Sequence, residues 1–258
     1  MTTTSEAGSL VAVTGGSGFV GSHVVDSLLA NGYAVRVIDA KAPLQSEAEW
    51  AAVDMLDQDS LTDALKECGA VFHLAAMADV NDVVADPAGS VERNVLGTAR
   101  VLEGARRADA GRVVLSSTVW VYSATIGDEV DETAAIHLDT ARHIYASEKI
   151  AAEMLCADYA NLFGRPYTVL RYGIPFGPRM RSDLVIAAFI ERAMRGEALT
   201  IDGDGSQQRN FVYVEDLAAA HPLALAAAAE NRTYNLEASE PTTIRELAET
   251  VGRLVGDT

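Results

Sequence analysis

The chain has 258 residues, 49 % hydrophobic and 22 % charged, a globular composition with room for one large domain and a smaller appendage. Acidic residues outnumber basic ones 37 to 20, a formal charge of -17 that argues against nucleic acid and anionic membrane surfaces as partners. Cys68 and Cys156 are too few for a disulfide framework or thiolate metal cluster; without a basic, apolar leader or a run of membrane-spanning length, a soluble cytoplasmic protein is expected.

Leu10–Thr14 is a continuous apolar run that reads as a buried strand. Residues 18–30 then place Val20, Val24 and Leu28 at helical spacing, and Asn31-Gly32 ends that helix. A second strand is expected over 33–39, with further apolar strands over 70–75 and 111–116. Helical patterns lie at 60–67 and 90–108, and a long helix over 143–163 precedes a strand over 167–171. Beyond Arg171 the rhythm loosens. Gly173, Pro175, Gly177 and Pro178 crowd a loop, a helix is expected over 184–195, and Gly203-Asp204-Gly205 makes a turn. Short strands follow at 211–214 and 234–236, and a helix at 244–255. The alanine-rich stretch 218–229 is interrupted by His221 and Pro222. Apolar strands alternating with helices imply an α/β fold: a doubly wound (Rossmann) parallel sheet covered on both faces, with a smaller C-terminal region.

Thr14-Gly-Gly-Ser-Gly-Phe-Val-Gly21 sits where the first strand meets the first helix. Glycines at 15, 18 and 21 let the backbone turn sharply and approach a pyrophosphate at the helix N-terminus. Asp39 follows the last of these by eighteen residues, at the end of the second strand, where a carboxylate accepts hydrogen bonds from an adenosine ribose and repels a 2′-phosphate. NAD is therefore expected over NADP. Tyr145-Ala-Ser-Glu-Lys149 places a phenol and an amine on one face of the long helix. A free phenol, with a pKa of about 10, is a poor base near neutrality. A neighbouring ammonium is expected to lower it. Val114-Leu-Ser-Ser-Thr-Val-Trp-Val-Tyr122 brings hydroxyls to the C-terminal end of a core strand, the edge at which open α/β sheets bind ligands.

These segments, with His73-Leu-Ala-Ala76, Asn94-Val-Leu-Gly-Thr98 and two stretches over 170–179 and 203–216, resemble extended short-chain dehydrogenases/reductases. Within those, the chain is similar to the NAD-dependent nucleotide-sugar epimerase/dehydratase family, of the UDP-glucose 4-epimerase type, over nearly its whole length. The resemblance implies NAD contacts from Gly15, Gly18, Phe19, Val20, Gly21, Asp39, Asp54, Met55, Ala75, Ala76 and Asn94, together with Tyr145 and Lys149. Asp54, after the third strand, takes the adenine side. It makes Thr118 the catalytic hydroxyl, Tyr145 the base and Lys149 its partner. Arg209, assisted by Arg179, would hold the nucleotide diphosphate of a UDP-sugar, with Thr118 and Tyr145 against the sugar. Residues 1–172 would form the NAD-binding domain and 173–258 mainly the substrate region, with strands returning to the first.

Dehydratases of the family carry Asp-Glu after the catalytic threonine, and its decarboxylases commonly keep a glutamate at the second position. Here those residues are Val119 and Trp120, which cannot shuttle protons. A 4-epimerase acting through a transient 4-keto sugar is expected. The alternatives are a nucleotide-sugar 4-ketoreductase or dehydratase, and a non-catalytic NAD-binding sensor or scaffold. Gly173-Ile174 stand where many sugar epimerases have Phe-Asn, and the chain stops at Thr258 where relatives continue, so an incomplete substrate region is expected. Apolar positions over 91–108 and 144–163 suit either core packing or a homodimer. The five histidines show no metal-ligand spacing, no metal is expected, and the acidic run 128–132 reads as a solvated loop.

Overall fold

The computed structural model describes residues 8–123, 130–137 and 143–256. The first half runs β1 (Leu10–Thr14), α1 (Phe19–Ala30), β2 (Ala34–Ile38), β3 (Glu49–Ala51), α2 (Gln58–Ala64) and β4 (Ala70–His73). It continues through α3 (Val80–Ala85), α4 (Pro87–Val91), a π turn (Glu92–Leu96), α5 (Gly97–Arg107) and β5 (Arg112–Thr118). A 3₁₀ turn (Val119–Tyr122), α6 (Ile144–Phe163) and β6 (Tyr167–Tyr172) follow. The remainder comprises β7 (Ile174–Phe176), α7 (Val185–Met194), β8 (Gln208–Arg209), β9 (Phe211–Tyr213), α8 (Val214–Leu223), β10 (Arg232–Leu236), β11 (Thr242–Thr243) and α9 (Ile244–Val255).

Seven strands form one parallel sheet in the order β10-β6-β5-β4-β1-β2-β3. β4 and β5 are buried at every position, as strands covered on both faces must be. Val11, Val13, Phe72 and Val114 pack under α1 and α8, with Val24, Leu28 and Leu217. On the other face Ala12, Val71 and Leu115 meet Leu61, Val101 and Ala152 from α2, α5 and α6. From β1 the chain steps outward to β3, then returns to the far side of β1 for β4. That reversal opens a crevice beyond the C-terminal ends of β1 and β4.

The expected helix over 90–108 is three pieces: a short helix that starts at Pro87, a π turn, and α5. The π turn aims Asn94 inward at 2 % exposure. Pro222 does not break the alanine-rich stretch where it stands, because it falls in the last turn of α8. β10 and α8, both beyond residue 172, lie on the large sheet and on α1. The rest of the C-terminal region has its own small core, in which Ile186 and Phe189 of α7 meet Leu247 and Val251 of α9 over Phe211. A Thr243–Glu246 capping box starts α9. Cys68 and Cys156 are free and buried. Of the acidic run, Asp128 and Glu129 fall outside the described residues, while Asp131 and Glu132 are exposed.

Candidate active site

A cleft of about 1160 Å³ lies at the crevice between β1 and β4. Its floor is the glycine turn. Gly15 has φ +72°, and a Cβ there would stand 2.6 Å from the Ala75 nitrogen; a Cβ on Gly21 would stand 2.1 Å from the Gly15 carbonyl oxygen. Only glycine allows the β4 loop and α1 to come this close. No side chain caps the first turn of α1, so its orphan N–H groups are left for an anion. Gly18, Phe19, Val20 and Gly21 line the cleft there.

Asp39 lines the wall at the end of β2, its carboxylate accepting from the Ser17 N–H at 3.2 Å and the Lys41 N–H at 3.0 Å. Asp54 and Met55 line the same end, and Asp54 accepts from the Leu56 N–H at 3.0 Å. Ala75 and Ala76 form the opposite wall. An elongated cleft with an amide cradle midway and a ribose-directed carboxylate at one end fits a dinucleotide.

At the other end Ser116, Ser117 and Thr118, from the C-terminal end of β5, meet Tyr145 and Lys149 from the start of α6. His143 caps that helix, its Nδ1 accepting the Tyr145 N–H at 3.2 Å. Lys149 Nζ lies 5.6 Å from the centre of the Tyr145 ring and donates to the Ser116 carbonyl at 3.0 Å. The Thr118 hydroxyl accepts the Trp120 N–H at 3.2 Å.

The net shift of the Tyr145 phenol runs opposite to the expected lowering. Burial pushes Tyr145 above its ordinary range, and the Glu148 carboxylate adds to that. Burial also lowers Lys149, to about 8, against the carboxylates of Glu148 and Glu153, which hold its proton. The fully buried His73 is pushed down to about 3 by burial and the Lys149 charge, so it is a neutral structural imidazole between the hydroxyls of Thr14 (2.8 Å) and Thr98 (3.0 Å).

Three expected site residues lie elsewhere. Asn94 is outside the cleft wall. Its amide accepts from the Met77 N–H at 2.8 Å and donates to the Met77 carbonyl at 2.9 Å, so it holds the lining loop from behind. Arg179 turns away to pair with Asp26 of α1 at 2.7 Å. Arg209 lines a second cavity of about 390 Å³, with Gln208, Asn210 and Glu237. Trp120 and Ile174 line both cavities, and the indole stands edge-on to Tyr145 at 6.4 Å and to His143 at 5.6 Å. The cleft also takes in Asp79, Arg93, Tyr172 and Arg181, which the sequence reading missed. Arg181 and Asp79 form an ion pair between the loop after β7 and the start of α3. Residues so far apart in the chain carry no local signal of their meeting.

Comparison with known proteins places this geometry among relatives. The family model of the NAD dependent epimerase/dehydratase family matches residues 11–236. The "Putative UDP-glucose 4-epimerase" of Methanocaldococcus jannaschii is 33 % identical over 258 residues, covering 96 % of this chain and 83 % of that one. A UDP-N-acetyl-alpha-D-glucosaminuronate decarboxylase of Bacillus cytotoxicus is 30 % identical over 255 residues, covering 94 % of this chain and 79 % of that one. Among solved structures, the Thermus thermophilus UDP-glucose 4-epimerase in complex with NAD aligns with a TM-score of 0.86 at 33 % identity, covering 96 % of this chain and 84 % of that chain.

Proposed function

The chain belongs to the NAD-dependent epimerase/dehydratase family, and within it we propose that this protein is a nucleotide-sugar 4-epimerase acting on UDP-sugars. The observation that carries the reading is the apolar pair after Thr118. Trp120 stands beside Tyr145 and Val119 lines the adjoining cavity with it, at the two positions where dehydration would need acidic groups for its additional proton transfers and where decarboxylases of the family commonly keep a glutamate at the second. A valine and an indole exchange no protons at neutral pH. The chemistry left to this site is one oxidation and one reduction at the same carbon.

The residues that would hold NAD are the glycine turn, Asp39, Asp54, Met55, Ala75 and Ala76, with Tyr145 and Lys149 at the nicotinamide end. When bound, oxidised NAD accepts and returns the hydride of sugar carbon 4 and brings a positively charged ring to the site. As phenolate, the Tyr145 oxygen would take the proton of the sugar 4-hydroxyl during oxidation and give it back when the 4-keto group is reduced, while the Thr118 hydroxyl hydrogen-bonds the same sugar oxygen. The Lys149 ammonium stabilises the phenolate while the proton is away. Trp120 offers the sugar an aromatic surface without hydrogen-bond direction, so the 4-keto sugar can turn over and present its other face. Arg209, at the edge of the adjoining cavity, supplies a guanidinium for the diphosphate.

On this reading residues 1–172 bind NAD and 173–258 mainly the sugar nucleotide. A cytoplasmic location and a homodimer belong to the same proposal, the homodimer supported by the exposed apolar side chains Val91, Leu96, Met154, Leu162 and Phe163 on and beside α4 to α6. No helix among the described residues is long and apolar enough to cross a membrane.

The test is an assay of purified protein, without added cofactor, against UDP-glucose, UDP-galactose and their N-acetylated forms, with product stereochemistry read by NMR. Interconversion at carbon 4 with NAD retained is expected. Strict dependence on added NADPH would indicate a ketoreductase. Release of carbon dioxide from a UDP-uronate would indicate a decarboxylase, the activity named for the Bacillus relative.

A further inference from the structure

Glu148 immediately precedes Lys149 on α6 and is 3 % exposed. A carboxylate so deeply placed needs compensation. Its Oε2 accepts from the Ser90 hydroxyl at 2.9 Å and from the Asn94 amide at 2.6 Å, while Oε1 is buried without a hydrogen-bond partner among the described residues. Ser90 belongs to α4 and Asn94 to the π turn, so the carboxylate joins α6 to the elements that hold the Met77 loop of the cleft. Tyr145, Glu148 and Lys149 fall at i, i+3 and i+4 of one helix, which places all three on one face.

We propose that Glu148 is a positioning residue for the Tyr145–Lys149 pair: its buried carboxylate, fixed by Ser90 and Asn94, supplies the counter-charge that keeps the Lys149 amine protonated beside the phenol. The inference rests on the reading of that pair as the acid–base centre. The charged and titratable groups that face Lys149 are Tyr145, Glu148, Glu153 and Cys156 on its own helix and His73 on β4. His73 is neutral at working pH, and Cys156 is pushed up to about 12 by burial and carries no charge. Glu153 is already committed: it binds Arg171 at 2.6 Å and the Ser117 hydroxyl at 2.5 Å. Glu148 has only neutral donors on it. Its charge is therefore the one left uncompensated near the amine, and it acts against the burial that strips the ammonium of water.

The chain has three lysines, Lys41, Lys66 and Lys149, and the first two are on the surface, so NMR of the full protein labelled at lysine with carbon-13 reads Lys149 directly. Its midpoint is expected near 8 in the parent protein. Glu148→Gln keeps an acceptor oxygen for Ser90 and Asn94 and removes the charge, so the midpoint should fall by about one pH unit or more. Ser90→Ala removes one donor and leaves the charge, so the midpoint should hold within a few tenths. A midpoint unmoved by Glu148→Gln, or one that moves with Ser90→Ala, would overturn the proposal. If the midpoint moves as expected while no nucleotide sugar is turned over, the role of Glu148 stands and the epimerase reading falls.

Discussion

Two opposing effects meet at Lys149. Burial lowers its amine to about 8, and the two neighbouring carboxylates work to keep the charge. As pH rises through about 8 the ammonium is lost and with it the support for the phenolate, so turnover should decline on the alkaline side of that value. Lys149→Arg, whose guanidinium stays charged, should remove this limb from the pH profile; a limb unchanged in the arginine variant would assign the titration to another group. Tyr145→Phe keeps the ring that packs against Trp120 and removes only the hydroxyl. It is expected to cut turnover about 10²- to 10⁴-fold, the usual worth of a positioned acid–base group. NAD content and melting temperature should stay at parental values, and a variant with full activity would remove Tyr145 from the chemistry. Spacing alone placed these two side chains together, since four residues is one helical turn. It did not disclose the sign of the phenol shift, because burial depends on what β5 and the 3₁₀ turn bring over the ring.

At the scale of elements, the glycine turn shows why local pattern was informative here. The strand, turn and helix are consecutive, and the close approach of Gly21 to the Gly15 carbonyl is a contact six residues apart. A methyl at 21 meets backbone at 2.1 Å, which no side-chain rotation relieves. Gly21→Ala must therefore push α1 off the glycine turn, at a cost of about 1–3 kcal/mol. A urea midpoint lowered at constant slope, with weaker NAD binding, is the expected outcome; an unshifted midpoint would mean that α1 can slide without loss. The buried strands β1, β4, β5 and β6 were legible as apolar runs for the same local reason. β3 was not assigned a range: its Glu49 and Trp50 are exposed at the sheet edge, and three residues are too few for a period. α3 escaped because Val80–Ala85 offers a single buried side chain, Val83. The division of the helix at 90–108 follows from the inward turn of Asn94 toward Met77 and Glu148, partners 17 and 54 residues away.

The whole molecule has two long-range dependences that no segment carries alone. One is acid sensitivity. His73 and His221 are fully buried and pushed down to about 3 and about 4 by burial, His221 bonding the Tyr172 hydroxyl at 2.6 Å. Both folded values lie below the unfolded value of about 6.5, so between these limits the unfolded chain binds protons that the native state refuses. Their stability contribution is complete above about pH 6.5 and drains as pH falls, by up to about 1.4 kcal/mol per pH unit for each histidine. Urea midpoints taken between about pH 6.5 and about pH 4.5 should decline steadily, and His221→Gln should flatten the slope by about half. The other dependence is the fastening of the loop after β7 across the cleft. The Pro178 carbonyl oxygen accepts from His23 Nε2 at 2.9 Å, Arg179 pairs with Asp26, and Arg181 pairs with Asp79, which also caps α3 through the Asn81 N–H at 2.7 Å. Arg181 and Asp79 both line the cleft, so their ion pair joins two of its walls. With Arg181 half-exposed to solvent, its pair with Asp79 adds only about 0–1 kcal/mol to folding, so Arg181→Ala should barely change the melting temperature. Its effect should fall on cofactor release: NAD should leave the variant several-fold faster. Because salt screens exposed charges, raising the ionic strength should speed release from the parent protein and leave the variant nearly unaffected. The proposed 4-epimerase would regenerate its cofactor within each turnover and so benefit from slow release, and a variant that lets NAD go at the parental rate at every salt concentration would show that the pair fastens the loop without retaining the cofactor.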